Sequence, residues 1–515
     1  MIQHYRKLAI IGLALFLLAF GAHLAQAAAD SAPRIESQVS VPRIFADNMV
    51  LQQGTNTVVW GWADDGAMVS VIFQNEVLTT RAKDGKWMVR FHNLTPSGNP
   101  EKLTITSANT LEFKNVLVGE VWLASGQSNM EFPLRDSFLG ASDIASAANP
   151  MIHIIKIPHT RLDSPTNDIN ASWSEASPET VANFSAVAYY FAQNLQEHLH
   201  VPVGIIESDW GGTPAEAWMD HDYLDNNPHW HSEVLKQWDV ERGRYNRRLV
   251  AFEDEKRKAK ENNTELTAKA PGRPWAPSEL YNGMIAPLVG YGMRGVIWYQ
   301  GESNAGNQER AWQYHTLFPG LIVDWRSQWG EGNFPFLLVQ LAPYMDIQKE
   351  PGESAWASLR EAQMDSTQIL PNVGMAVITD VGMEHNIHPV MKKPVGERLA
   401  IAAYDIAYHQ PIEGYAPTYR SMKIEDLHIT VKFDHVGGGL VSHGGDLTGF
   451  AIAGEDQKFH WAVAHIEGKD KVVVFSPKVQ HPVAVRFGWA NYPVVNLWSE
   501  DGLPASPFRT DNFEK

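Results

Sequence analysis

The sequence predicts an α/β protein, with a central domain of alternating strands and helices and a β-rich domain on either side of it in the chain. Three observations predict it. Near-continuous apolar runs ("VLVGEVWLAS", "VPVGIIES", "MRGVIWYQ", "FPFLLVQLA" and "VGMAVITD") recur from residue 116 onward. Such runs suit strands buried on both faces of a parallel sheet. Helical periodicity fills the intervals, and short β-rich runs with Gly and Asp turns lie before and after this region.

The chain opens with "MIQHYRK", then "LAIIGLALFLLAFGAHL", then "AQAAAD". A basic start, a short apolar stretch and small residues read as a signal peptide over residues 1–27, cleaved after Ala27 or Ala29. An uncleaved anchor is the rival reading. Export to a bacterial periplasm or exterior is the expectation. No later stretch approaches the length of a membrane span, so no membrane association is expected after cleavage.

Residues 28–115 read as a β-sandwich domain. "TVVWGWA", "MVSVIF", "KWMVRFHNL" and "EKLTITS" are its strands, with turns at Asp65-Gly66 and Asp84-Gly85. Residues 116–411 carry the α/β pattern. "NFSAVAYYFAQNLQEHL" offers Ser185 as N-cap, with Val187, Tyr190, Phe191 and Leu195 at helical spacing. "PVGERLAIAAYDIAY" opens on Pro394, which suits the first turn of a helix. An insertion at about 220–283 interrupts the alternation. Within it, Trp238–Asn263 reads as a solvated helix laced with ion pairs. Residues 412–515 are β-rich again, and the tail "EDGLPASPFRTDN" either packs back or trails.

Composition narrows the function. There is no cysteine among the 515 residues, which excludes thiol catalysis and a disulfide scaffold. A net charge of −17 weighs against nucleic-acid binding. No phosphate-binding glycine loop or dinucleotide fingerprint is present. No cofactor is expected, and no metal either, although His385 and His388 stand near Glu384.

The remaining signal is a set of polar clusters at strand ends, where open α/β sheets bind ligands. "ASGQSNMEF" places Gln127, Ser128 and Asn129 after one strand. "IIESDWGGT" places Trp210, Gly211 and Gly212 after a second, and "VIWYQGESN" puts Gln300, Glu302 and Asn304 just beyond Trp298 after a third. "AVITDVGMEHNIHP" brings Asp380 and His388 after a fourth. Serine hydrolysis needs a reachable hydroxyl, an imidazole to take its proton and donors around the oxyanion. These clusters contain all three.

"ASGQSNM", "WGGTPAEAW", "WYQGESNA" and "NIHP" resemble the sialate O-acetylesterase family, within the wider SGNH/GDSL hydrolases. "DNMVLQQ", "GEVWLASGQSNMEFPL" and "GLPASPFRTD" extend the likeness over nearly the whole mature chain. The resemblance implies a flavodoxin-like three-layer catalytic domain that removes acetyl groups from sugar hydroxyls. It implies Ser128 as nucleophile and His388 as base. The Ser128 N–H, a glycine of the Gly211–Gly212 pair and Asn304 would form the oxyanion hole. Gln300 and Glu302 would contact substrate or orient the histidine. The wider superfamily has Asp three residues before the histidine, where this chain has His385. Asp380 is therefore the first choice for the triad acid, with Glu384 and Glu302 as alternatives. Gln127, Asn129, Trp210 and Trp298 are expected to line the sugar site. The substrate is expected to be 9-O-acetyl sialic acid, with acetylated xylan or another hemicellulose as the alternative and a non-catalytic glycan binder as a reading from another class. Arg135 and Arg360 are candidates either for a sialate carboxylate or for a structural role. An exposed imidazole would give activity rising through neutrality.

Overall fold

The computed structural model describes residues 37–513. The signal-peptide reading lies outside them. The described residues form two compact units, one of residues 37–41, 59–90 and 103–112, the other of 42–58, 91–102 and 113–513.

The first unit is all β. Met68–Phe73 and Glu76–Arg81 form an antiparallel hairpin across Gln74-Asn75, both with positive φ, the backbone that a tight two-residue hairpin turn needs. The expected turns are present too: Asp84 and Gly85 have φ of 54° and 74°, and Gly66 has φ of 83°. Ala67, Val69, Val71, Phe73, Trp87 and Val89 turn inward.

The second unit holds the α/β sheet. Its strands are β1 (Thr110–Gly126), β2 (Asn149–Lys156), β3 (Ser174–Ala176), β4 (Val203–Asp209), β5 (Gly295–Tyr299), β6 (Phe336–Val339) and β7 (Val373–Ala376). The order across the sheet is β7-β6-β5-β1-β4-β2-β3, parallel except for the β3 edge. After β1 the chain forms β2 and the β3 edge on one side, returns to insert β4 beside β1, then crosses to build β5 to β7 on the other. The crossing puts the carboxyl ends of three strands level: Gly126 pairs with Asp209 of β4 and with Tyr299 of β5. That is where an open sheet leaves a crevice for a ligand.

Helices cover both faces, as all-buried parallel strands require. On one face lie α2 (Ala186–Leu199) and α6 (Lys393–Ile406), whose Val187, Phe191, Leu399 and Ala403 share a core with Trp122, Ile205, Ile297 and Leu337. Ser185 caps α2 by accepting from Ala188 N–H at 3.1 Å. On the other face α4 (Gln308–Trp329) sets Phe318 and Trp325 against Trp298, and α5 (Ala355–Ile369) packs beside α4. The predicted insertion helix is α3 (Lys236–Glu261), none of whose residues is buried. A short helix, α1 (Ser128–Glu131), starts directly after β1.

The chain then builds antiparallel sheets around Ile429, Val431, Phe433, Phe450, Val472, Val485 and Phe487. The tail packs back: Phe508 pairs with Phe487, and Arg509 Nε donates to Glu361 of α5 at 2.8 Å. Among the described residues no helix is long and apolar enough to cross a membrane.

Candidate active site

β1 ends on Gly126, whose φ is +139°. A Cβ there would stand 2.2 Å from Tyr299 O, so only glycine lets β1 and β5 come this close. The approach is used at once: Gln127 N–H donates to Tyr299 O at 3.0 Å, and Trp210 N–H donates to Gly126 O at 3.2 Å. Three strand ends are thereby tied together, and the chain turns into α1 with Ser128 as its first residue. From Val116 to Met130, Ser128 is the single residue that is not buried.

His388 arrives from the loop between β7 and α6. Its N–H donates to Asn386 Oδ1 at 3.0 Å, and its Nε2 lies 2.8 Å from Ser128 Oγ. Partial burial, with Lys392 adding to it, holds the imidazole below its ordinary value. The expected rise of activity through neutrality is thus displaced toward acid, because this imidazole is neutral at a lower pH than an exposed one.

The structure distinguishes the two glycines of the pair expected to supply an oxyanion donor. Gly211 N–H is already engaged, donating to Glu131 Oε2 at 2.7 Å. Gly212, exposed and at φ +75°, makes no such bond among the described residues. Ser128 N–H opens α1, where a first-turn donor has no partner within the helix. Asn304 is fully buried. Its Oδ1 accepts from Ala215 N–H at 3.0 Å and Gln300 Nε2 at 2.8 Å, and its Nδ2 donates to Glu216 at 3.1 Å, which leaves one of its two N–H bonds uncommitted.

The triad acid does not materialise at Asp380. Both of its oxygens accept from Arg398, at 2.6 and 2.8 Å. A carboxylate offered a planar guanidinium takes that bidentate pairing, and Arg398 of α6, eighteen residues on, occupies Asp380 with it. Glu384 accepts from Ile347 N–H at 3.0 Å, and Glu302 accepts from Asn129 at 2.6 Å. Among the described residues none of the three hydrogen-bonds His388.

Several expected sugar contacts prove to be framework. Trp298 is fully buried among Trp218, Phe318, Trp325 and Phe336. Gln127 is buried, its Oε1 accepting from Gly301 and Ser303 N–H at 3.4 and 3.3 Å. Asn129 is buried between Lys392, Glu302 and Ile387 O. Gln300 is buried as well, and bonds Thr213 O, Asn304 and Tyr314. Arg360 is structural: it donates to four backbone carbonyls, those of Leu341, Ala342, Ala490 and Asn491. Arg135 is exposed beside Asp136. Trp210 keeps a place at the rim, stacked on His159 at 4.1 Å and edge-on to Trp275 at 5.1 Å.

The sequence reading passed over Lys392, Glu131 and His159. The only signal for Lys392 is its spacing, four residues past His388 and just ahead of a Pro-led helix. Glu131 is one helical turn from Ser128, a spacing that puts it on the same side of α1.

Among the described residues, two groups of side chains have ligand atoms close enough for a metal ion: Glu131, His159 and Asp209, and the more exposed Asp346, Glu384 and His385. His388 belongs to neither. In the first group burial and the adjacent Glu207 push the Asp209 carboxyl well up, toward its protonated form.

The arrangement defines a carboxylic ester hydrolase of the SGNH/GDSL class, with a serine hydroxyl and an imidazole in contact at the crossing point of a parallel sheet. The model of a carbohydrate esterase family described as sialic acid-specific acetylesterase matches residues 266–404. The sialate O-acetylesterase of Mus musculus is 31% identical over 521 residues, covering 90% of this chain and 93% of its own. That of Homo sapiens is 30% identical over 399 residues, 70% of each chain. The crystal structure of a carbohydrate acetylesterase from Xanthomonas citri superposes with a TM-score of 0.79 at 36% identity, covering 92% of this chain and all of that one. The chain belongs to the sialate O-acetylesterase family, and its activity is that of a carbohydrate acetylesterase.

Proposed function

We propose that this protein removes O-acetyl groups from sugars by acyl transfer through Ser128 and His388, with an O-acetylated sialic acid as the substrate. The observation that carries the mechanism is the 2.8 Å contact between Ser128 Oγ and His388 Nε2. Oγ attacks the acetyl carbonyl carbon as Nε2 takes its proton. The oxyanion rests against the N–H groups of Ser128 and Gly212 and the uncommitted N–H of Asn304. The imidazolium returns the proton to the departing sugar oxygen and leaves acetyl-Ser128. Water attacks this ester, passing a proton to His388, which gives it to Ser128 Oγ as the C–Oγ bond breaks and acetic acid departs. Each oxyanion donor is worth about 3 kcal/mol at the transition state. Among the described residues no carboxylate bonds His388, so the imidazolium forms without one and the pair works as a dyad.

The sialate assignment is supported by the names of the mammalian relatives. One observation favours the acetylated hemicellulose alternative. A groove of about 1550 Å³ runs from Gly212 and Ser303 along α3 and α4, past Trp275, Trp312, Arg244 and Arg248. Ligand pockets for small molecules are typically about 300–1,000 Å³, so this one has room for several sugar rings.

Acetate release from O-acetylated sialic acids and from acetylated xylo-oligosaccharides, each with the parent and Ser128→Ala, tests both parts. Loss of release in S128A supports the serine mechanism, and the faster panel names the substrate. Release that survives S128A overturns the nucleophile. Export through residues 1–27 belongs to the same proposal, and cell fractionation with N-terminal sequencing of the mature protein tests it.

A further inference from the structure

Lys392 stands just ahead of α6 and is 1% exposed. Its Nζ donates to Asn129 Oδ1 at 2.5 Å and lies 4.8 and 5.2 Å from the ring centroids of Phe132 and Tyr299. Asn129 passes the contact on in two directions. Its Nδ2 donates to Glu302 Oε1 at 2.6 Å and to Ile387 O at 3.0 Å. An ammonium only donates, while a carboxylate and a carbonyl only accept. The amide therefore has a single orientation that satisfies every neighbour, with oxygen to Lys392 and nitrogen to Glu302 and Ile387. Reversed, it would set N–H against ammonium and oxygen against carboxylate. Asn129 directly follows Ser128, and Ile387 directly precedes His388. One side chain thus joins the two halves of the reacting pair, and Lys392, from the oxygen side, holds it to the orientation that Glu302 and Ile387 O require.

We propose that Lys392 is a positioning residue of this esterase: acting through Asn129, it holds the loop of His388 at reacting distance from Ser128, a task that triad enzymes give to a carboxylate. The proposal rests on the Ser128–His388 reading above. Lys392 touches neither substrate nor reacting atoms. Its charge has a second consequence. It opposes protonation of His388 and so keeps the base neutral and ready. The groups facing this pair are few. Glu302, after β5, opposes the loss of the Lys392 proton; the Tyr299 phenol on β5 is pushed far up by burial and stays neutral; Asp380 and Arg398 close on each other. Burial pulls Lys392 itself down to about 7. A buried lysine is a poor choice for holding a fold together, since an apolar side chain of similar length fills the same space without desolvating a charge.

Lys392→Met keeps an unbranched side chain one atom shorter and removes the charge. Activity is read as kcat per site titrated with a serine-directed sulfonyl fluoride, so that a loss of folded protein does not count. A displacement of about 1 Å at the reacting pair costs on the order of 100-fold. The expected result is a kcat lowered by about that factor. KM should stay close to the parent, and the acidic limb of kcat/KM should move to higher pH as His388 loses a repelling charge. Asn129→Leu cuts the same link from the other side and is expected to lower kcat comparably. The double variant should then be no worse than either single one, because the two residues act in series. A K392M protein with parental kcat, an acidic limb that does not move, or losses that multiply in the double variant would each overturn the proposal. If K392M does not fold, N129L decides: unchanged kcat there overturns the link. Acetate release surviving in S128A would instead show that the underlying dyad reading has failed, a separate outcome.

Discussion

Gly126→Ala is the sharpest test of how the nucleophile is placed. The added methyl group would sit 2.2 Å from Tyr299 O and 2.7 Å from its carbonyl carbon. Ordinary contact for a Cβ begins near 3.4 Å. Strands β1 and β5 must therefore part by more than 1 Å at this level, because the obstacle is backbone and cannot swing away. The φ of +139° adds strain of about 1–3 kcal/mol for a residue with a side chain. Parting breaks the Gln127 N–H bond to Tyr299 O, and Ser128 is the next residue. A shift of about 1 Å in reacting groups costs on the order of 100-fold in rate. The assay is kcat/KM for a chromogenic acetyl ester, with near-ultraviolet circular dichroism to show that the fold persists. The expected outcome is a loss of about that size in a folded protein. A folded G126A enzyme within threefold of the parent would refute the argument that this close approach sets the serine.

Three further outcomes follow from the same geometry. Asp380→Asn should lower thermal stability, because it strips Arg398 of a bidentate partner, while kcat per mole of folded protein falls far less than in S128A; a loss approaching that of S128A would restore Asp380 as the triad acid. The acidic limb of kcat/KM should lie below the ordinary imidazole value, since burial and Lys392 depress His388 and the neutral base persists further into acid; a limb at or above that value would contradict the site electrostatics. Asp324, buried on α4 and raised to about 7, carries a proton in the folded state that the unfolded chain releases near 4. Its cost to stability is absent below about pH 4, grows as pH rises to about 7 and is complete above that, up to about 4 kcal/mol. Asp324→Asn keeps an acceptor for Asp220 N–H, so its melting temperature should exceed the parent's at pH 8 and match it at pH 4; equal shifts at both pH values would refute the assignment.

The parts of this protein that were legible in the sequence are those that the main chain decides. Apolar runs without alternation announced a buried parallel sheet, and the order of the strands then placed Ser128, Gly211–Gly212, Gln300–Asn304 and His388 at one level. What the sequence could not show is which way each side chain turns and what it meets there. Trp298 stands beside a site motif but lies on β5, where all five residues are buried, so no pattern of exposure marks its face as the one toward α4. Asp380 carries the right chemistry at a strand end, yet its partner Arg398 is eighteen residues on, within a helix that reads as ordinary amphipathic sequence. Gly211 has the backbone freedom expected of an oxyanion donor, but its N–H meets Glu131, brought there by the turn of α1. Lys392 is the most instructive case. "KKP" before a helix reads as two solvated cations, and Lys393, its neighbour, is half-buried while Lys392 is enclosed. The difference arises because the chain enters α6 at that residue, which sends consecutive side chains to different sides. Lys392 turns toward Asn129, between aromatic rings that replace part of the water an ammonium loses. A buried charge carries a desolvation cost that a fold has no reason to bear unless the charge does something there. At this position it stands one amide away from both members of the reacting pair.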